Sequence, residues 1–142
     1  MFSKNDKVYK IAAKSLLEIA RGGYSKQVFV VVQSEPEHPG NLEFLKKILL
    51  AAGLDFEQDT LYAEVQDAEP RAILPVLKIN HPDSVLVFGL SPSQIGLNIQ
   101  VPLYKPLVFC DTTFLFSEKL SAIEPDKTRK TNLWQALRQM FL

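Results

Sequence analysis

QVFVVVQ (Gln27–Gln33), SEPEHPG (Ser34–Gly40) and NLEFLKKILLAAG (Asn41–Gly53) follow one another without interruption. The first run is almost entirely apolar and β-branched, which is how a strand buried on both faces reads. Two prolines and a glycine in the second exclude regular structure. The third has Asn41 as an N-cap and Leu42, Leu45, Leu49 and Ala52 on one helical face, with Gly53 as its stop. A strand covered on both sides and followed at once by a helix is the unit from which parallel sheets are built.

The same alternation continues downstream. TLYAEV (Thr60–Val65) reads as a second strand. Asp67 caps a weaker helix through 68–80, with Ile73, Val76 and Leu77 inward and Pro75 kinking or shortening it. His81-Pro82-Asp83 is a turn, and SVLVFGL (Ser84–Leu90) is a third buried strand. Leu97 to Leu103 alternates and reads as an edge strand, because Pro102 cannot donate to a ladder. PLVFC (Pro106–Cys110) is a further strand, and Thr112 to Lys119 fits no single element. PDKTRKTNLWQALRQMFL (Pro125–Leu142) closes the chain as an amphipathic helix, with Leu133, Trp134, Leu137, Met140 and Phe141 on one face. At the other end, residues 5–20 read as a helix with Val8, Ile11, Ala12, Leu16 and Ile19 in a stripe, ended by Gly22-Gly23. The expected fold is α/β: one domain over 1–142, a three-layer sandwich with a mostly parallel sheet of four to five strands and helices on both faces. The first 22 residues are the N-terminal helix, docked on the chain's own sheet or serving as a partner-binding arm.

At 142 residues and 46% hydrophobic the chain can bury a core without covalent staples. Its one cysteine, Cys110, excludes an internal disulfide and is expected as a buried core thiol within LVFC. Lysines interrupt the apolar N-terminus and no secretory pattern is present, so the cytoplasm is the expected compartment. No stretch approaches the length of a membrane span. Net charge is zero, which argues against strong direct nucleic-acid binding. The charge is nevertheless unevenly placed. Residues 1–26 carry six bases and two acids (+4), residues 33–69 two bases and nine acids (−7), and residues 126–142 four bases and one acid (+3). Basic ends around an acidic middle can steer a charged partner.

Ligands of open parallel sheets bind beyond the carboxyl ends of the strands. After the first strand stand Glu35, Glu37 and His38, whose spacing matches no metal-ligand pattern. After the third, GLSPSQIG has Gly89 and Gly96 around a serine pair, without the endings of a phosphate-binding loop; a tight connection is favoured over an anion cradle. Asp111, after PLVFC, lacks the second acid or lysine that a nucleophilic aspartate needs. His38 and His81 each sit beside proline, and there is no Gly-x-Ser-x-Gly elbow. The expectation is a chain with no catalytic residue, no metal and no cofactor.

FLKKILLAAGLDFEQDTLY, VLVFGL and KLSAIEPDKTRKTNLWQAL occur in that order. The arrangement resembles the psi subunit of the bacterial DNA polymerase III clamp-loader complex, over roughly residues 27–142. The distinctive element is a Leu-Trp pair shortly after basic residues: Lys127, Arg129 and Lys130, then Leu133 and Trp134. The resemblance implies a three-layer α/β fold similar to uracil-DNA glycosylases without their catalytic residues. It further implies a non-catalytic bridge in DNA replication between the clamp-loader ATPase subunit and a chi-like protein, and through that to single-stranded-DNA-binding protein. In that family an N-terminal peptide docks on the clamp loader; here the N-terminus has helical periodicity and does not match that peptide. Lys7, Lys10, Ile11, Lys14 and Leu16 are the candidate partner contacts, and Leu133, Trp134 and Leu137 the structural anchors of the last helix. The alternative is a small α/β enzyme, or a vestigial glycosylase relative, acting on nucleic acid or a nucleotide; a regulatory binding module is a third reading.

Overall fold

The structure, a computed structural model, describes residues 14–66 and 70–142. In chain order the elements are β1 (Lys14–Ser15), a 3-10 turn (Leu16–Ile19), β2 (Val28–Gln33), α1 (Asn41–Ala51), α2 (Phe56–Asp59), β3 (Thr60–Val65), β4 (Arg71–Ala72), α3 (Leu74–Asn80), β5 (Ser84–Phe88), a second 3-10 turn (Pro92–Ile95), β6 (Leu107–Phe109), β7 (Thr112–Ser117), α4 (Leu120–Ile123) and α5 (Lys127–Phe141). The main sheet has the order β3-β2-β5-β7-β6. Its first four strands are parallel, and only β6 runs antiparallel, against β7. β1 and β4 form a separate two-stranded parallel pair.

Alternation along β2 divides the interior. Phe29 and Val31 enter one apolar layer with Leu16, Ile73, Val76, Ile95, Phe114 and Phe116. Val28, Val30 and Val32 enter the other, with Leu45, Leu49, Leu120, Ile123, Leu133 and Leu137. The sheet is thus covered by α3 and the two 3-10 turns on one face and by α1, α4 and α5 on the other, the expected three-layer α/β sandwich. Among the described residues no helix is long and apolar enough to cross a membrane.

Local signals in the central region hold. Gly53 takes φ +83° and ends α1. Its N–H donates to Leu50 O (3.0 Å) and that of Leu54 to Leu49 O (2.8 Å), the paired bonds of a glycine-terminated helix. Asn41 is the first helical residue, not the cap; Gly40 stands before it, and the Asn41 amide donates to Glu35 instead. Leu42 lies at the margin of its face, 37% exposed. α5 begins at an Asp126 cap, whose carboxylate accepts from the Arg129 N–H at 3.0 Å.

Further expectations are corrected. The helix read over residues 5–20 is absent over its described part. Lys14–Ser15 pairs with Arg71–Ala72, and the Ser15 hydroxyl caps a single 3-10 turn by accepting from Leu17 N–H. Fully buried Leu16 anchors this segment in the core, and that long-range pairing outweighs helical periodicity. Residues 1–13 and the Asp67 cap lie outside the described residues. The helix read over 68–80 is shortened to Leu74–Asn80, with Pro75 in its first turn, where a missing N–H is harmless. Leu97 to Leu103 forms no strand; Ile99 and Val101 simply pack against the core. The segment of uncertain type, 112–119, holds an interior parallel strand, whereas PLVFC is the antiparallel edge. A tight turn joins them with Cys110 and Asp111 both left-handed (φ 55° and 62°), so the thiol is exposed and not in the core.

Gly22-Gly23 does not end a helix. It lets the chain run hard against residues 57–62. Arg21 and Tyr62 exchange backbone hydrogen bonds of 2.9 and 2.8 Å, and Gly23 N–H reaches Glu57 O at 2.8 Å. A Cβ on Gly22 would stand 2.1 Å from the Thr60 carbonyl oxygen, at a φ of +138° that other residues rarely adopt. Gly22→Ala is expected to destabilise by at least about 1–3 kcal/mol, through strain and a displaced edge. Chemical denaturation of the variant, compared with Gly40→Ala, where an added Cβ meets nothing within 4 Å, checks this.

Candidate functional site

The carboxyl ends of β2 and β3 open on a hollow of about 200 Å³ whose polar lining includes Arg21, Gln33, Glu35, His38, Tyr62 and Glu64. Arg21, His38 and Glu64 are exposed, whereas the Glu35 carboxylate is turned inward. Both Glu35 oxygens are engaged: one accepts from the Asn41 amide (2.9 Å) and the Ser121 N–H (3.3 Å), the other from the Ser121 hydroxyl. The carboxylate ties the loop after β2 to the start of α4. Glu35, Glu37 and His38 can bring ligand atoms within 4.8 Å of one another, but Glu37 and His38 are exposed and Glu35 is already spent. At the next strand, Gly89 has φ +84°, and a Cβ there would meet the Gln33 amide and Lys119 at 3.0 Å. Gln33 and Lys119 therefore stand close over the Gly89 backbone at the end of β5.

Asp111 is not at this end. Its turn precedes β7, so it lies at the amino end of the parallel strands, near Pro82 and Asp83: the Thr112 hydroxyl donates to Pro82 O at 2.8 Å and Thr113 N–H to Asp83 O at 3.0 Å. His81 ends α3 in a left-handed conformation at the same edge. The sequence-derived acid–base candidates are thus split between opposite ends of the sheet. No protein-family model matches this sequence, and no curated protein matches it.

The clearest open feature lies between helices. On α1, Phe44, Lys47, Ile48 and Ala51 recur at helical spacing; on α5, Lys130, Leu133, Trp134 and Leu137 do the same. Together they bound an apolar groove of about 240 Å³. Leu133 and Leu137 are buried, Phe44, Ile48 and Trp134 are half-buried, and Lys47 and Lys130 are exposed. Neither of these two lysines has an ion-pair partner among the described residues, whereas Lys46, next to Lys47 in sequence, is held by Glu57 (3.3 Å) and Glu43 (3.9 Å).

Polar contacts fix α5 in place. Arg129 donates from Nε to Glu118 Oε1 and from Nη1 to Asp126 Oδ2, each at 2.7 Å. The Tyr104 hydroxyl donates to the same Glu118 oxygen at 2.8 Å. The Arg129 N–H, and the guanidinium with it, holds the Asp126 carboxyl below the usual aspartate value, while Glu118 raises Arg129. Asp59 is lowered likewise, first by the Asp55 N–H (2.8 Å), then by the Ser25 hydroxyl (2.6 Å). Burial, helped by Glu118, pushes the Tyr104 phenol up.

Of the partner contacts read from sequence, Lys7, Lys10 and Ile11 lie outside the described residues. Lys14 is exposed in β1, and Leu16 is sealed in the core, so it is not available to a partner. Leu133 and Leu137 are core anchors as expected. Trp134 packs against the same cluster but stays half-buried, and it also lines the groove. The α1 side of that groove was missed, although Phe44, Lys47, Ile48 and Ala51 stand at i, i+3, i+4 and i+7, a second stripe beside the one that packs on the sheet.

Two outcomes follow from this geometry. Leu137→Ala is expected to cost about 2–5 kcal/mol, the range for a buried leucine, and Trp134→Ala less than the roughly 3 kcal/mol at which fully buried tryptophans begin; urea melts of both variants measure the difference. Asp59 and Asp126 bind protons less readily folded than unfolded. Their contribution is present above the ordinary aspartate value of 3.8 and is lost as pH falls through the lower folded values. Thermal melts between roughly pH 6 and pH 2 should fall on the acid side, and Asp126→Asn should flatten part of that fall.

Proposed function

We propose that the chain is a non-catalytic accessory subunit, a cytoplasmic protein–protein bridge in DNA replication of the kind its resemblance to the clamp-loader psi subunit implies. The observation that carries the reading is the divergence of Leu133 and Trp134. Leu133 is 2% exposed in the core, while the adjacent Trp134, packed against the same cluster, stays half-buried and lines an open apolar groove. Tryptophan is enriched among the residues that carry most of the binding energy of protein interfaces. The three-layer α/β fold is the one the resemblance implies. Glu35 and Gln33, the groups best placed at the strand ends, are committed to internal contacts, which favours a binding role over turnover. The proposed partners are the clamp-loader ATPase subunit and a chi-like or single-stranded-DNA-binding protein.

Affinity purification of the tagged full chain from its source cells tests this. Recovery of the clamp-loader ATPase is the expected result. Its absence, with the bait intact, overturns the reading, as does a glycosylase or nuclease turnover that disappears in His38→Ala or Asp111→Asn.

A further inference from the structure

We propose that the groove between α1 and α5 takes a short acidic amphipathic helix from a protein partner. The proposal rests on the reading of this face as a protein-binding surface and names the chemistry of its ligand. From Phe44 to Ala51 the groove follows α1 for two turns, roughly 10 Å at 1.5 Å per residue. That length matches apolar anchors at i, i+3 or i+4, and i+7 of a docked helix. Secondary structure of the ligand follows from what the groove lacks. Its lining is side chains of two helices, whose backbone groups are already paired, so an extended peptide would bury N–H and C=O groups without partners. A helix satisfies its own.

Charge fixes the rest. Lys47 and Lys130 flank the apolar floor without ion-pair partners among the described residues, and exposed Lys127 stands one turn before Lys130. Carboxylates on the ligand's outer face would meet them and steer its approach. A second copy is disfavoured, because a two-fold contact of this face with itself sets lysine against lysine. The chain's own N-terminus carries Lys4, Lys7 and Lys10, again like charges, and β1 and Leu16 enter the fold on the opposite face of the sheet. A nucleic-acid strand needs a basic track with stacking platforms for successive bases; the groove has two half-buried rings, Phe44 and Trp134, on an aliphatic floor.

Display selection of random peptides of about 16 residues, some four helical turns, against the full wild-type chain tests the proposal. Recovered peptides should be net acidic with apolar residues at helical spacing. Lys47→Glu/Lys130→Glu, both at exposed positions that leave the fold intact, should weaken them by about tenfold or more, as should Trp134→Ala. Added salt should weaken them too. Amide shifts should localise to residues 44–51 and 130–137. Recovery of basic or neutral peptides, indifference to the lysine variant, or shifts elsewhere overturns the proposal. So does Trp134-dependent binding of an oligothymidylate in preference to the acidic peptides. Acidic-helix binding without clamp-loader recovery leaves the groove chemistry standing and removes the replication reading; clamp-loader recovery undiminished by the lysine variant does the reverse.

Discussion

Val30 and Val31 are neighbours in the chain, both without exposed surface, and they point into different apolar layers. Strand β2 must therefore be covered on both sides and paired on both edges. Parallel pairing with β3 and β5 supplies the edges, and the crossovers that parallel pairing requires supply the covering helices. A slip of one residue would exchange the two layers, so the alternation also fixes register. The positions of α1, α4 and α5 against one face follow from this constraint, and with them the spacing that leaves a groove between α1 and α5.

Where the chain obeys nearest-neighbour rules it was readable. The β-branched runs of β2 and β5, the left-handed Gly53 and the stripe of α5 each carry a local cause for their conformation. Where the cause is remote it was not. Nothing near Leu16 says that Lys14–Ser15 will pair with Arg71–Ala72, and from Lys14 onward that pairing overrides the helical period. PLVFC is the more apolar of the two and TTFLFS half hydroxyl, so composition pointed to the wrong one as interior. The sheet settles it by placing Phe114 and Phe116 in one layer and Leu115 in the other, while the left-handed pair Cys110-Asp111 folds the three-residue β6 back along the edge.

The site shows the same division. Attention to strand ends was sound for a parallel sheet, yet two of the polar groups found there serve the fold: Glu35 holds α4, and Gln33 packs over Gly89. Trp134 was legible as important but not as half-exposed, because the period of a helix says which residues share a face and not how wide a cover that face receives. Phe44 and Ile48 escaped notice for the same reason. They belong to the flank of α1 that the sheet does not reach.

The sheet's two margins bear on how the molecule can associate. At β3 the backbone groups of Arg21 close on Tyr62, held there by the close approach that Gly22 permits. At β6 the ladder is three residues long, preceded by Pro106 and cut off by a left-handed turn. Neither margin offers a long row of free N–H and C=O groups, which is the template on which sheets stack end to end into fibrils. With its margins blunted, the protein presents its apolar groove and half-buried tryptophan without a long open backbone edge beside them, so association there is selected by side-chain shape and charge and not by backbone pairing, to which any chain is complementary.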